Sequence, residues 1–256
     1  MKDKERNMSD QKVVLITGIS GGLGSAMAEV FRKYGYLVAG TSRKKGEFEP
    51  DLFIMADLAE QNGARQIVEQ VEKRMGRLDV LINNAGIGVY DPWKAVEEKD
   101  LRYEMELNFF AVVRLTKAAL PLLTINKGTI INISSVAGKL PMPYMGAYSV
   151  SKFALDAYSR SLRAELRQDG VRLMNVSPGR IQTGFGSHII GGVKSPSTMG
   201  KARPEDFARK LYRAFLKGKE EWIFPGWYKL FLWFGRWFPK TYDKISVKTW
   251  KEAQQK

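Results

Sequence analysis

The chain has 256 residues, with 41 Lys and Arg against 27 Asp and Glu, a formal net charge of +14, one histidine and no cysteine. That length suits one large domain with a sizeable core, while the residue counts rule out a disulfide framework, a thiolate metal site and a histidine metal cluster, so metal-free chemistry is expected. The basic balance fits anionic lipid, phosphorylated ligands or a lysine-rich solvated surface; nucleic acid is not expected as a partner, because the chain shows no zinc-finger spacing, no RNP-like aromatic motif and no arginine-rich block.

Residues 1–11 are charged and carry no apolar stretch, so they read as a disordered lead rather than a signal peptide. No run of about 18 apolar residues follows, which argues against a spanning helix and for a cytoplasmic location. From residue 12 onward, short apolar runs alternate with longer helical patterns. Strands are predicted at 12–17, 37–41, 52–56, 80–83, 129–134 and 172–177, with a seventh at 221–224. Helices are predicted near 22–34, 60–75, 103–125, 147–168 and 203–217. Runs such as VVLIT and TIINIS suit strands covered on both faces. The crossover at 42–51 is short and holds Gly46 and Pro50, so it should lack a helix. The expected fold is α/β, a single-domain Rossmann-like doubly wound parallel sheet of about seven strands with helices on both faces, spanning 12–225.

Two places along this pattern carry chemistry. The first strand runs into Thr17, Gly18, Ile19, Ser20, Gly21, Gly22, Leu23 and Gly24, and a helix begins inside that cluster. Such a turn lets backbone approach a pyrophosphate while the helix N-terminus offers unpaired N–H groups. Farther on, Tyr148 and Lys152 fall one helical turn apart, which sets an ammonium beside a phenol and favours the phenolate. Ser135 lies thirteen residues upstream of the tyrosine. Its neighbour Ser134 is the local rival, and on an extended strand the two point to opposite faces.

These segments together resemble the short-chain dehydrogenases/reductases, a family of nicotinamide-dependent oxidoreductases. TGISGGLG is similar to the family's TGxxxGxG motif, the run Asn83, Asn84, Ala85, Gly86 to its NNAG segment, Asn108 in ELNFF to its helix asparagine, and Ser135, Tyr148 and Lys152 to the rest of its catalytic tetrad. The likeness covers roughly residues 12–184. It implies a hydride transfer between the nicotinamide and a carbonyl or secondary alcohol. Tyr148 would act as general acid or base, Ser135 would bind the substrate oxygen, Lys152 would tune the tyrosine and hold the ribose, and Asn108 would hold a relay water through its backbone. Cofactor contacts are implied for Gly18, Ser20, Gly22, Leu23, Gly24, Asn84, Ala85 and Gly86, and for Tyr148 and Lys152. Pro178, Gly179, Ile181 and Thr183 match the segment that caps the nicotinamide, and Asp57 with Leu58 the pair at the adenine. Ser42 stands where NAD-preferring relatives carry an acid and Arg43 follows it, which implies NADP(H). By the same likeness the helices near 103–125 and 147–168 would pair subunits into a homodimer or homotetramer. A reading of another class keeps the fold without turnover, as an NADPH-binding scaffold or redox sensor.

Substrate choice should lie in two later segments. Residues 184–202 are rich in glycine and serine, hold His188, and read as a mobile lid. Residues 226–256 form an aromatic and basic extension whose start, WYKLFLWFGRWF, is bracketed by Pro225 and Pro239. Drawn as one helix, it lines up Lys229, Arg236 and Lys240. Such a helix can lie on a membrane interface, giving peripheral contact at the inner membrane surface, pack on a second subunit, or close the pocket over an apolar carbonyl or alcohol substrate.

Overall fold

Alternation along single strands decides the layering. In β1 (Val13–Thr17), Val14 and Ile16 join one apolar cluster and Val13 and Leu15 the other, and none of the four is exposed. The same period of two recurs in β4 (Val80–Asn83), where Val80 and Ile82 face one way and Leu81 the other. A strand apolar on both faces is stable only between two layers of helix. The computed structural model describes residues 11–196 and 202–255, so 1–10 of the expected lead and 197–201 of the expected lid lie outside the described residues.

With β2 (Leu37–Ser42), β3 (Leu52–Met55), β6 (Thr129–Ile133), β7 (Arg172–Pro178) and β9 (Glu221–Phe224), these strands form one seven-stranded parallel sheet in the order β3-β2-β1-β4-β6-β7-β9. On one face lie α1 (Gly22–Lys33) and α6 (Pro204–Leu216), which contribute Met27, Phe31, Phe207 and Leu211 to the core. On the other lie α2 (Gly63–Met75), α4 (Ala111–Ile125) and α5 (Gly146–Leu166), with Ile67, Val71, Leu115, Leu123 and Leu166. Val14 pairs with Val38 on one side and Val80 on the other, so the chain reverses its winding direction at β1 and β4. The carboxyl ends of those two strands therefore flank an open crevice. No helix intervenes between β2 and β3, as the short crossover requires.

Three elements differ from expectation. The helix expected at 103–125 starts earlier, as α3 (Glu98–Met105), and passes through a π turn at Glu106–Phe110 before α4. Within the continuous helical run Glu98–Ile125, one 18-residue stretch is apolar enough to cross a bilayer by length and composition. That corrects the expectation of no such run, although its apolar side, including Leu107, Leu115 and Ala119, is buried against the sheet. Within the expected lid, a 3-10 turn at Gly184–His188 leads into β8 (Ile189–Ile190), which pairs with β5 (Gly88–Val89). Beyond β9, α7 (Tyr228–Trp237) ends at Phe238 and a separate α8 (Pro239–Gln254) follows. Proline at the first position of α8 has no N–H to continue α7, so Lys240 does not share a helix with Lys229 and Arg236.

Candidate active site

Gly18 closes β1 with φ +66 and donates its N–H to Thr41 O at 2.9 Å, turning the chain sharply across the end of β2. A side chain there would be strained in its backbone and would meet Ala85 Cα at 3.0 Å. Gly24 lies directly against the Gly18 carbonyl, so α1 can begin inside the turn only with glycine at that place. The N-terminus of α1 has no side-chain cap. Its first N–H groups thus face the crevice ready for an anion.

Thr17 ties this turn to the next segment. Its hydroxyl accepts the N–H groups of Asn84 at 2.8 Å and Ala85 at 2.9 Å, while Asn84 Nδ2 donates to Thr17 O at 2.9 Å. Asn83 points into the core instead and donates to Asn132 Oδ1 at 2.8 Å. Ser42 and Arg43 stand at the end of β2, where Ser42 Oγ donates to Lys44 O at 2.6 Å and Arg43 reaches Tyr103 OH at 3.1 Å. Asp57 accepts the N–H of Ala59 at 2.9 Å, which fixes the turn carrying Leu58.

The π turn shifts the helical ladder by one residue, so Ala111 N–H donates to Glu106 O and Asn108 sits where the ladder is widened. Fully buried, Asn108 accepts the Ile87 N–H at 3.0 Å and donates to Ile87 O at 2.9 Å and Ser151 Oγ at 3.0 Å. Gly86 passes so close that an added Cβ would meet Asn108 Oδ1 at 2.9 Å. Ser135 caps a 3-10 turn by accepting the Ala137 N–H at 3.1 Å, and its hydroxyl shares a hydrogen bond with Tyr148. Ser134 is engaged elsewhere, with the Lys152 carbonyl at 3.4 Å.

Lys152 Nζ donates to Ile133 O at 3.1 Å and stands 5.7 Å from the centroid of the Tyr148 ring. Burial lowers its ammonium to about 8, against the pull of the Glu104 and Asp156 carboxylates. Burial likewise holds the Tyr148 phenol well above its ordinary range, opposed by the Ser135 hydrogen bond and reinforced by Glu104. The phenol is therefore protonated at neutral pH and stands as a proton donor, which corrects the expectation that the neighbouring ammonium favours the phenolate: burial outweighs it.

On the far side, Gly179 N–H donates to Phe224 O at 2.6 Å and its α-carbon lies flat against the Tyr228 ring. Arg180 N–H donates to the Tyr228 hydroxyl at 3.3 Å. Ile181 bridges to Ala202, and Thr183 lies across from Gly22, whose added Cβ would come within 3.9 Å of Thr183 Cα. Pro178 ends β7 at the same rim. All of the residues expected at the site except Asn108 line one cleft of about 1560 Å³.

Four residues of this cleft and its surroundings are not among the site residues that the sequence singles out. Lys44 lines it beside Arg43. Thr17 opens the glycine motif in sequence, where nothing marks its hydroxyl as the acceptor of two backbone N–H groups. Tyr90 places its ring 5.9 Å from that of Tyr148 and 6.2 Å from that of Trp250, so the segment after β5 and α8 meet over Tyr148. Glu104, with no exposed surface, accepts the Val89 N–H at 2.9 Å through one oxygen, while the other has no partner among the described residues. Burial raises its carboxyl to about 8, against the Val89 hydrogen bond and Lys152. The available signal was an acid one turn before Asn108. His188, which the sequence already places in the lid, lines the cleft at an exposed position, its ring 6.4 Å from that of Phe185.

Known proteins share both sequence and shape with this chain. The family model described as short chain dehydrogenase matches residues 12–190. The chain is 40% identical over 176 residues to the 3-ketodihydrosphingosine reductase of Bacteroides thetaiotaomicron, a match covering 68% of this chain and 65% of that protein. It is 38% identical over 199 residues to the NADPH-dependent 3-dehydrocapnine reductase of Ornithobacterium rhinotracheale, covering 72% of this chain and 69% of that one. In shape it is similar to a short-chain dehydrogenase from Streptomyces avermitilis, with a TM-score of 0.81 at 28% identity, covering 94% of this chain and 98% of the other.

Proposed function

Because the chain belongs to the short chain dehydrogenase family, we propose that it is an NADP(H)-dependent oxidoreductase acting on the carbonyl or secondary alcohol of an apolar substrate, with Tyr148 as general acid and base. The observation that carries this reading is the convergence of the Tyr148 phenol, Ser135 and Lys152 in a cleft walled by Tyr90, Phe185 and Trp250. An apolar substrate gains from burial against these rings.

The glycine cradle fits a dinucleotide, since its close approaches leave room only for backbone beside the α1 N-terminus. Gly18, Ser20, Gly22, Leu23 and Gly24 would hold the pyrophosphate. Ser42, Arg43 and Lys44 would hold a 2′-phosphate where a carboxylate would repel it. Asp57 and Leu58 would flank the adenine. Asn84, Ala85, Gly86, Pro178, Gly179, Ile181 and Thr183 would line the nicotinamide end. When bound, the cofactor supplies or accepts the hydride.

In the reducing direction Tyr148 donates its proton to the substrate oxygen while Ser135 fixes that oxygen by a hydrogen bond. Lys152, charged below about pH 8, would stabilise the phenolate left behind and would hold the ribose hydroxyls of a bound cofactor. Asn108, set in the widened turn, positions the water through which Lys152 exchanges protons with solvent. Within this reading 12–225 is the oxidoreductase domain and 226–256 an extension that walls the cleft. Subunits would pair through α4 and α5, near which Phe110, Val150 and Phe153 stand exposed. Names of relatives lend support to ketone reduction, one of them with NADPH.

The test is NADPH oxidation against a panel of apolar ketones, with Tyr148→Phe alongside wild type. Turnover should fall by roughly 10²–10⁴-fold while NADPH binding is kept. Near-normal turnover in the variant would remove the assignment. Silence of wild type across the panel, with NADPH bound, would favour the non-catalytic scaffold.

A further inference from the structure

The last two helices have two working faces each. From α7, Tyr228, Phe231 and Phe234 line the cleft, while Leu230, Trp233 and Trp237 on the opposite side are 70%, 51% and 67% exposed. Trp227 and Phe238 at the helix ends are also about half exposed, at 48% and 50%. A monomeric surface seldom leaves so many contiguous large apolar groups in water unless they meet something. Lys229 and Arg236, seven residues apart, run along one border of this face. From α8, Tyr242, Ser246, Thr249 and Trp250 point into the cleft. Lys240, Lys244, Lys248 and Lys251, spaced by four, four and three residues, form a single outward row. Glu252 stands 3.9 Å from Lys248, and the other three lysines have no acid within ion-pair range among the described residues.

We propose that the outer faces of α7 and α8 form a docking surface for an anionic lipid bilayer, and that the cleft draws a membrane-resident amphiphile through the edge of this helix pair. Charge decides between lipid and a second copy of the chain. A two-fold dimer through this face would set each patch against itself and bring its cations together. Anionic headgroups would neutralise the same cations, and tryptophan is the side chain most at home where acyl chains meet headgroups. Long lysine stems can lie along the apolar boundary with the ammonium in water. Ile245 is 54% exposed and yet lines the cleft, which places the mouth of the cleft on α8, beside the docking face. A substrate already partitioned into lipid would then move from one apolar environment to another without crossing water. The substrate class rests on the reading of the cleft as a site of carbonyl reduction; the docking does not.

The experiment uses the full chain and co-sedimentation with vesicles of phosphatidylcholine alone or mixed with phosphatidylglycerol. Removing 226–256 would unroof the cleft, so point variants on the outer faces are preferred. Wild type should bind the anionic vesicles, and Trp233→Ala with Trp237→Ala should weaken that binding by roughly tenfold or more. Lys244→Glu with Lys251→Glu should weaken binding to anionic vesicles selectively, as added salt does. NADPH binding should be unchanged in both, which checks that they fold. Binding that is absent in wild type, or unaltered in the tryptophan variant, overturns the proposal. So does a wild-type dimer, seen by sedimentation velocity, that the tryptophan variant dissolves without any effect of lipid. Vesicle binding without turnover of any ketone would uphold the docking and count instead against the proposed reaction.

Discussion

Glu104→Gln isolates the energetics of the buried acid beside the candidate site. Glutamine keeps the oxygen that accepts the Val89 N–H at 2.9 Å, and its amide takes the place of an oxygen that has no partner. At low pH the glutamate is neutral in both folded and unfolded chains, so the two proteins should differ by less than about 1 kcal/mol. As pH rises above the ordinary 4.5, the unfolded glutamate releases its proton while the buried one holds it up to about 8. The folded state then binds the extra proton, and the stability of wild type relative to the variant must fall with pH, at roughly 1.4 kcal/mol per unit. The loss should reach several kcal/mol near pH 8 and level off beyond it. Urea unfolding of both proteins at pH 5, 6, 7 and 8 measures the difference at each pH. The glutamine variant should pull ahead steadily between pH 5 and 8. A constant gap across that range would refute the burial argument for Glu104.

Two further outcomes follow from the cofactor end. Arg43→Ala should raise KM for NADPH by roughly 10- to 100-fold, as loss of a charge-assisted hydrogen bond does, and leave KM for NADH nearly unchanged; equal effects on both would remove the 2′-phosphate role. Thr17→Val strands the N–H groups of Asn84 and Ala85, so unfolding free energy should drop by about 2–4 kcal/mol, with Thr17→Ser restoring most of it. A valine variant as stable as wild type would show that the two amides find other partners.

What the sequence determined by itself is what depends on local period and local backbone. Residues two apart on β1 and β4 share a face, and this sufficed for a sheet covered on both sides. Gly18 and Gly24 are legible because only glycine tolerates that turn, and Tyr148 and Lys152 because one helical turn separates them. Boundaries were less legible. The π turn at Asn108 is set by how that residue and Gly86 pack, which no helical pattern expresses.

Only the tertiary structure decided what comes together from distant segments. Glu104 reads in sequence as one more acid on a charged helix, and becomes an uncharged carboxyl near neutral pH because the fold buries it away from water, an effect that outweighs the opposing pull of Lys152 and the Val89 N–H. Tyr90 and Trp250 lie far apart in the chain and meet above Tyr148 only when α8 folds back over the cleft. The basic line imagined through Lys229, Arg236 and Lys240 breaks at Phe238, and Lys240 joins a different row on α8. Periodicity reports which residues share a face of one element; which element that face meets is set by burial and close packing across the whole chain, and here that separates a wall of the cleft from a surface left to solvent.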